Sequence, residues 1–276
     1  MRIAILALLI ATAGNCFAAE EKNCSFGTGT VTKRVAEFQI RISPYRDKDN
    51  PDFPQCRAVI RSPDGKVIFS EHDSGFAIAL LGEDVNGDGV PDVVLEAYSG
   101  GAHCCWTYYI ISLGAKPGPL RSFENQLPVS FDRNNSTGRI EISTWDGAFD
   151  YFDGVCHPCS PVPPVFLRLD GKDLIDVSSQ HLDAYDRVIG ERRKALTPEG
   201  LQRLRAIKEN PSDAEGMSAI VSNALSIVVA YLYSGREAEA HQEVQDMWPT
   251  FDQERIWKLI LETRENGILS NTRKPG

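Results

Sequence analysis

The sequence predicts an α+β chain, with an N-terminal antiparallel β-rich domain (a sandwich or propeller fragment) followed by a C-terminal α-helical region. Three observations predict it. Up to about residue 178 the apolar residues alternate with a period of two, and Gly or Pro fall between the runs. After about residue 180 the period becomes helical and cap residues stand at the helix starts. Seven cysteines in the chain, most of them in the β-like half, point to a disulfide-bearing fold. The expected division is a leader at 1–18, a β-rich domain at 19–178 and a helical region at 179–276.

The first element is the leader. Met1-Arg2 supplies a short positive start, residues 3–13 are apolar and uncharged, and Cys16 and Ala18 are the small residues that signal peptidase reads. Cleavage after Ala18 is expected, with export to a bacterial-type periplasm or beyond. The apolar run is about half the ~20 residues that span a bilayer, so no transmembrane anchor is expected after cleavage.

The strands come next. Residues 37–43 alternate apolar and polar. Residues 56–61 and 66–70 flank Ser62-Pro63-Asp64-Gly65, where Pro63 presets φ and Gly65 tolerates a positive one, so a hairpin is predicted. Further strands are expected at 76–81, 92–98, 106–113, 138–144, 164–169 and 172–177. The helical half opens at Thr197-Pro198, a cap followed by a first-turn proline. Ser212-Asp-Ala-Glu215 has the spacing of a capping box and predicts a long apolar helix through Tyr233, closed by Gly235. Helices at 236–247 and about 252–265 follow, the first stopping before Pro249.

One loop carries a metal-binding pattern, Asp84-Val-Asn-Gly-Asp-Gly-Val-Pro-Asp92. Calcium takes six to eight oxygens at about 2.3–2.6 Å, and a tight loop meets that demand by turning alternate residues inward. Asp84, Asn86, Asp88 and Asp92 offer side-chain oxygens, Val90 offers a carbonyl, and Gly89 permits the bend. The bidentate Glu of an EF-hand is missing, since Leu95 stands there, and the flanks read as strands rather than helices. Strand, D-x-N-x-D-G-x-x-D loop, strand resembles an FG-GAP or VCBS repeat, and residues 75–113 match one copy. The resemblance implies Ca²⁺ at Asp84, Asn86, Asp88, the Val90 carbonyl and Asp92. A single copy implies a fragment rather than a closed propeller, which needs four to eight blades. In the helical half, Ala230, Gly235, Ala240, Val244 and Met247 resemble part of one tetratricopeptide repeat, and an ordinary helical hairpin is the simpler expectation.

Removing Cys16 with the leader leaves Cys24, Cys56, Cys104, Cys105, Cys156 and Cys159, an even set with fifteen possible pairings. Neighbouring strand residues face opposite ways, so Cys104 and Cys105 are expected to join one each of Cys156 and Cys159, leaving Cys24 for Cys56. Two other readings stay open: Cys156-His157-Pro158-Cys159 as a redox centre, and a zinc or copper site built from the same thiolates and imidazoles.

Charge and motifs limit the function classes. The formal charge is −9 without a Lys/Arg cluster, so nucleic acid is not an expected partner. There is no G-x-S-x-G, no H-E-x-x-H and no phosphate loop. The leading expectation is an exported, calcium-binding, non-enzymatic module that binds an envelope or extracellular protein or glycan. The alternative is a periplasmic thiol–disulfide oxidoreductase using Cys156 and Cys159.

Overall fold

The computed structural model describes residues 23–101 and 105–272. The leader expected at 1–18, together with Cys104 and His103, lies outside them. The β half consists of three antiparallel sheets taken in chain order. The first is a meander of β2 (Val31–Val35), β3 (Phe38–Arg46), β4 (Pro54–Arg61) and β5 (Val67–Asp73). The second runs β6 (Gly75–Leu81), β7 (Asp92–Tyr98), β8 (Trp106–Ser112) and β9 (Gly118–Asn125), with the short β1 (Cys24–Ser25) added beside β6. The third is β10 (Ser130–Arg133), β11 (Ile140–Trp145), β12 (Pro164–Asp170) and β13 (Asp173–Asp176). Successive four-stranded meanders are the unit of a propeller blade. The sheets here, one five-stranded and two four-stranded, form no closed barrel.

The middle sheet is apolar on both faces, which explains why its strands read as continuous hydrophobic runs. Val93, Leu95, Ala97 and Ile111 pack with Ile40, Ile42, Ile60 and Phe69 of the first sheet. Val94, Tyr108 and Ile110 point the other way, into a core shared with Ile142, Val165 and Leu167 of the third sheet. Tyr108 links the layers further, stacking on Phe123 at 5.3 Å and accepting the Val129 amide at 2.9 Å.

The helices extend that second core. They are α1 (Leu182–Ala195), α2 (Pro198–Ala206), α3 (Ser218–Tyr233), α4 (Glu237–Met247) and α5 (Gln253–Asn266). Leu225, Val228, Val244, Ile256 and Ile260 belong to the same buried cluster as Val94 and Ile142, so the helices have no separate core. No helix among the described residues is long and apolar enough to cross a membrane.

Local chemistry explains most boundaries. Gly65 adopts φ +83° and donates to the Ser62 carbonyl at 2.9 Å, closing the expected hairpin. Thr197 caps α2 by accepting from the Gly200 amide at 3.0 Å. Gly235 takes φ +81° and donates to Leu232 while Arg236 donates to Tyr231, the paired bonds of a Schellman ending.

One expected boundary is corrected. The helix through Tyr233 begins at Ser218, and Ser212 caps nothing: its hydroxyl donates to Asp153 at 2.9 Å. Gly216, at φ +71°, breaks the helical path between them. Helix α1 carries only Leu182, Tyr185, Val188 and Ile189 as large apolar residues, and it gave no distinct sequence signal.

Candidate metal centre

The loop at 84–92 joins β6 to β7. Its base is closed by two backbone bonds, Gly82 to the Asp92 carbonyl and Asp92 to the Glu83 carbonyl, both 2.8 Å. Val85 anchors it, burying its side chain in the second core. Gly87 and Gly89 both adopt left-handed φ, +80° and +82°, which turns the chain sharply enough to bring alternate residues inward.

The acidic side chains are held by the loop's own amides. One Asp84 oxygen accepts from Gly87 at 2.6 Å and Asp88 at 3.1 Å, and the other accepts from Gly89 at 2.8 Å. Asn86 accepts from the Asp88 amide at 3.1 Å, and Asp88 from the Val90 amide at 2.9 Å. Among the described residues, no group of three or more His, Cys, Asp or Glu is gathered as a metal-binding cluster. The carboxylates are therefore neighbours on one loop without converging on one point.

Asp92 differs from the others. It is only 1% exposed. Its Oδ2 accepts the Val85 amide at 2.9 Å, while Oδ1 is buried with no hydrogen-bond partner. Burial, with Asp88 and Asp84 nearby, pushes its carboxyl up to about 6, against an ordinary value of 3.8. A buried carboxylate oxygen without a donor is costly unless a cation or proton meets it. Carboxylate and amide oxygens are the donor type that a hard cation takes, and a carboxylate oxygen that accepts one hydrogen bond keeps further acceptor capacity.

Arg139, to which the sequence gave no pointer, braces the loop from the third sheet. Its Nη2 donates to the carbonyls of Asn86 and Leu169, both at 2.9 Å, and to Asp170 at 3.0 Å. A Cβ on Gly87 would overlap its guanidinium. The loop is thus fixed to β12 through a residue 53 positions away in the chain.

The cysteines depart from the expected cross-pairing. Cys24 is joined to Cys56 as expected, whereas Cys156 is joined to Cys159 rather than to either of the partners expected for them. The reason is local. A three-residue 3₁₀ turn at His157–Cys159, with Pro158 inside it, folds Cys159 back on Cys156, and the Cys159 amide donates to the Cys156 carbonyl at 2.7 Å. His157 Nδ1 meets Asp150 at 2.7 Å, and the same carboxylate accepts from the Ser160 hydroxyl at 3.0 Å. Ser160 also lines a cleft of about 510 Å³ with Trp145, Pro163, Phe166, Arg187 and Arg192.

The hairpin turn between β10 and β11 is held by its own bonds. Asn134 accepts from Ser136 and Thr137, as a hairpin turn does. Glu141 is buried between Asn134 at 2.9 Å and His181 at 2.8 Å, and the His181 ring lies on Phe166 at 4.0 Å. That contact clasps the third sheet to the start of α1.

Comparison with protein-family profiles, curated proteins and solved structures gives no match to this chain.

Proposed function

We propose that the chain is an exported, disulfide-stapled binding module whose 84–92 loop binds one Ca²⁺ and which presents a surface to an envelope or extracellular protein or glycan. The observation that carries the calcium reading is the orphaned, buried Oδ1 of Asp92 inside a D-x-N-x-D-G-x-x-D loop. Asp84, Asn86, Asp88, the Val90 carbonyl and Asp92 would hold the ion. The ion would offset the mutual repulsion of three carboxylates and fasten the end of β6 to the start of β7. The apolar leader-like run at 3–13 and the buried Cys24–Cys56 bond both support an oxidising destination.

A thermal melt tests the reading. Excess EDTA is compared with about 1 mM Ca²⁺, for the parent protein and for Asp88→Ala. With a dissociation constant near ~0.1 mM, mass action gives about 1.4 kcal/mol of stabilisation, a shift of a few degrees in a chain of this size. A shift present in the parent and lost in the variant supports the loop as the site. Equal melts in EDTA and calcium for the parent refute it.

A further inference from the structure

We infer that the Cys156–Cys159 disulfide is a thiol-exchange site that oxidises a dithiol polypeptide. Four observations lead there. The pair is accessible: Cys156 is exposed and Cys159 partly so, whereas Cys24 and Cys56 are fully buried. It does little structural work, because the chain around it is already fastened. Cys159 donates to the Cys156 carbonyl, Ser160 donates to the His157 carbonyl at 3.1 Å, and the Tyr151 amide donates to the Ser160 hydroxyl at 2.8 Å. Arg255 grips Asp153 at 2.6 Å and 3.0 Å from α5. A bond that spans three positions also constrains the unfolded chain weakly.

The third observation is the imidazole between the two sulfurs in the chain. His157 is anchored by Asp150, and its ring lies 5.5 Å from that of Tyr151. The thiolate is the leaving and attacking form in exchange. The fourth is backbone strain. Tyr151 and Asp153, in the turn that leads into the pair, sit at φ +53° and +51°, a conformation that costs non-glycine residues free energy and concentrates at functional sites. Ser160, the residue after the pair, lines the 510 Å³ cleft, which therefore begins one residue beyond Cys159.

The chemistry balances without a further reagent. A thiolate of the polypeptide attacks the Cys156 sulfur; a Cys156–polypeptide bond forms, the Cys156–Cys159 bond breaks, and Cys159 leaves as a thiolate that takes a proton. The polypeptide's second thiol, losing its proton, attacks the sulfur bound to Cys156. That closes the polypeptide's disulfide and releases Cys156 reduced. Two electrons pass from the polypeptide to the pair.

The test uses the full protein with its disulfides formed. It is equilibrated in graded glutathione buffers, quenched with acid, alkylated and mapped by peptide mass spectrometry, which separates Cys156 and Cys159 from Cys104 and Cys105. The pair is expected to open at about 100-fold less reductant than Cys24–Cys56, while the protein stays folded. A synthetic two-cysteine peptide should be oxidised by the parent protein and not by Cys156→Ser/Cys159→Ser, which keeps Cys24–Cys56. The inference is overturned if the pair opens only together with Cys24–Cys56. It is equally overturned if the double variant oxidises the peptide as fast as the parent.

Discussion

Tyr233, at the end of α3, donates its hydroxyl at 2.6 Å to Asp146, a carboxylate that is 1% exposed just beyond β11. Asp146 also accepts from the amides of Ala148 at 3.0 Å and Ile268 at 3.3 Å. One buried acid thus ties the third sheet, the central helix and the C-terminal turn. Removing the hydroxyl in Tyr233→Phe should cost about 2 kcal/mol, the net value of a hydrogen bond to a charged group. Asp146→Ala should cost about 3 kcal/mol or more, because it strands three buried donors. Urea unfolding reads both. A neutral Tyr233→Phe contradicts the assigned role.

The two loop glycines should respond differently to alanine. Both hold left-handed φ, so each substitution carries about 1 kcal/mol of backbone strain. At Gly89 a Cβ meets open space, whereas at Gly87 it meets the Arg139 guanidinium. Gly87→Ala should therefore be the more destabilising, and Arg139→Ala in the same chain should recover part of the difference. Equal melting temperatures for the two single variants would show that Arg139 does not brace the loop.

Asp92 makes the ion-free fold pH-sensitive. Its carboxyl is pushed up to about 6 in the fold, so between about pH 4 and pH 6 the folded state binds the proton that the unfolded chain releases. Stability contributed by this group is present at the acid end and falls as pH rises to about 6, then levels. Calcium must displace that proton, so its affinity should weaken by up to about tenfold per pH unit below pH 6. Melts in EDTA and calcium titrations across pH 5–8 check both slopes. A calcium affinity flat from pH 5 to 8 is the opposing result.

The two disulfides should differ in worth. Cys24–Cys56 spans 32 positions and staples β1 to β4, so its loss should cost about 4 kcal/mol in the chain-entropy account. Cys156–Cys159 spans 3, and its loss should cost about 2 kcal/mol or less. Paired serine variants, compared by denaturant midpoint, measure the ratio.

How much of this was legible follows from which forces act locally. The 62–65 hairpin, the Thr197 cap and the Gly235 ending depend on residues within four positions, and each was readable. Strands β9 and β10 were not assigned, because charged and turn-forming residues interrupt the alternation in both. The Ser212 expectation failed because the matching pattern was local while the deciding contact, with Asp153, lies 59 positions away. The loop residues were readable from spacing alone, but Arg139 was not, since nothing in a lone arginine at a hairpin signals the carbonyls it will reach. The expected Cys24–Cys56 bond is present, whereas the pairing expected for Cys156 and Cys159 is not, for a related reason. That pairing was expected from the opposite facing of Cys104 and Cys105, while the deciding feature is the tight 3₁₀ turn at His157–Cys159.

The central claim is that the 84–92 loop is a calcium site completed by Asp92, and calorimetric titration of Ca²⁺ into the EDTA-stripped, dialysed protein at pH 7.5 tests it most directly. One ion per chain with a dissociation constant of ~0.1 mM or tighter is expected, within the range of extracellular calcium modules and sensors. Asp92→Asn should weaken it at least about tenfold by removing one charge from the ligand set. Absence of binding heat for the parent at several temperatures, with no competition against a calcium indicator dye, would contradict the account.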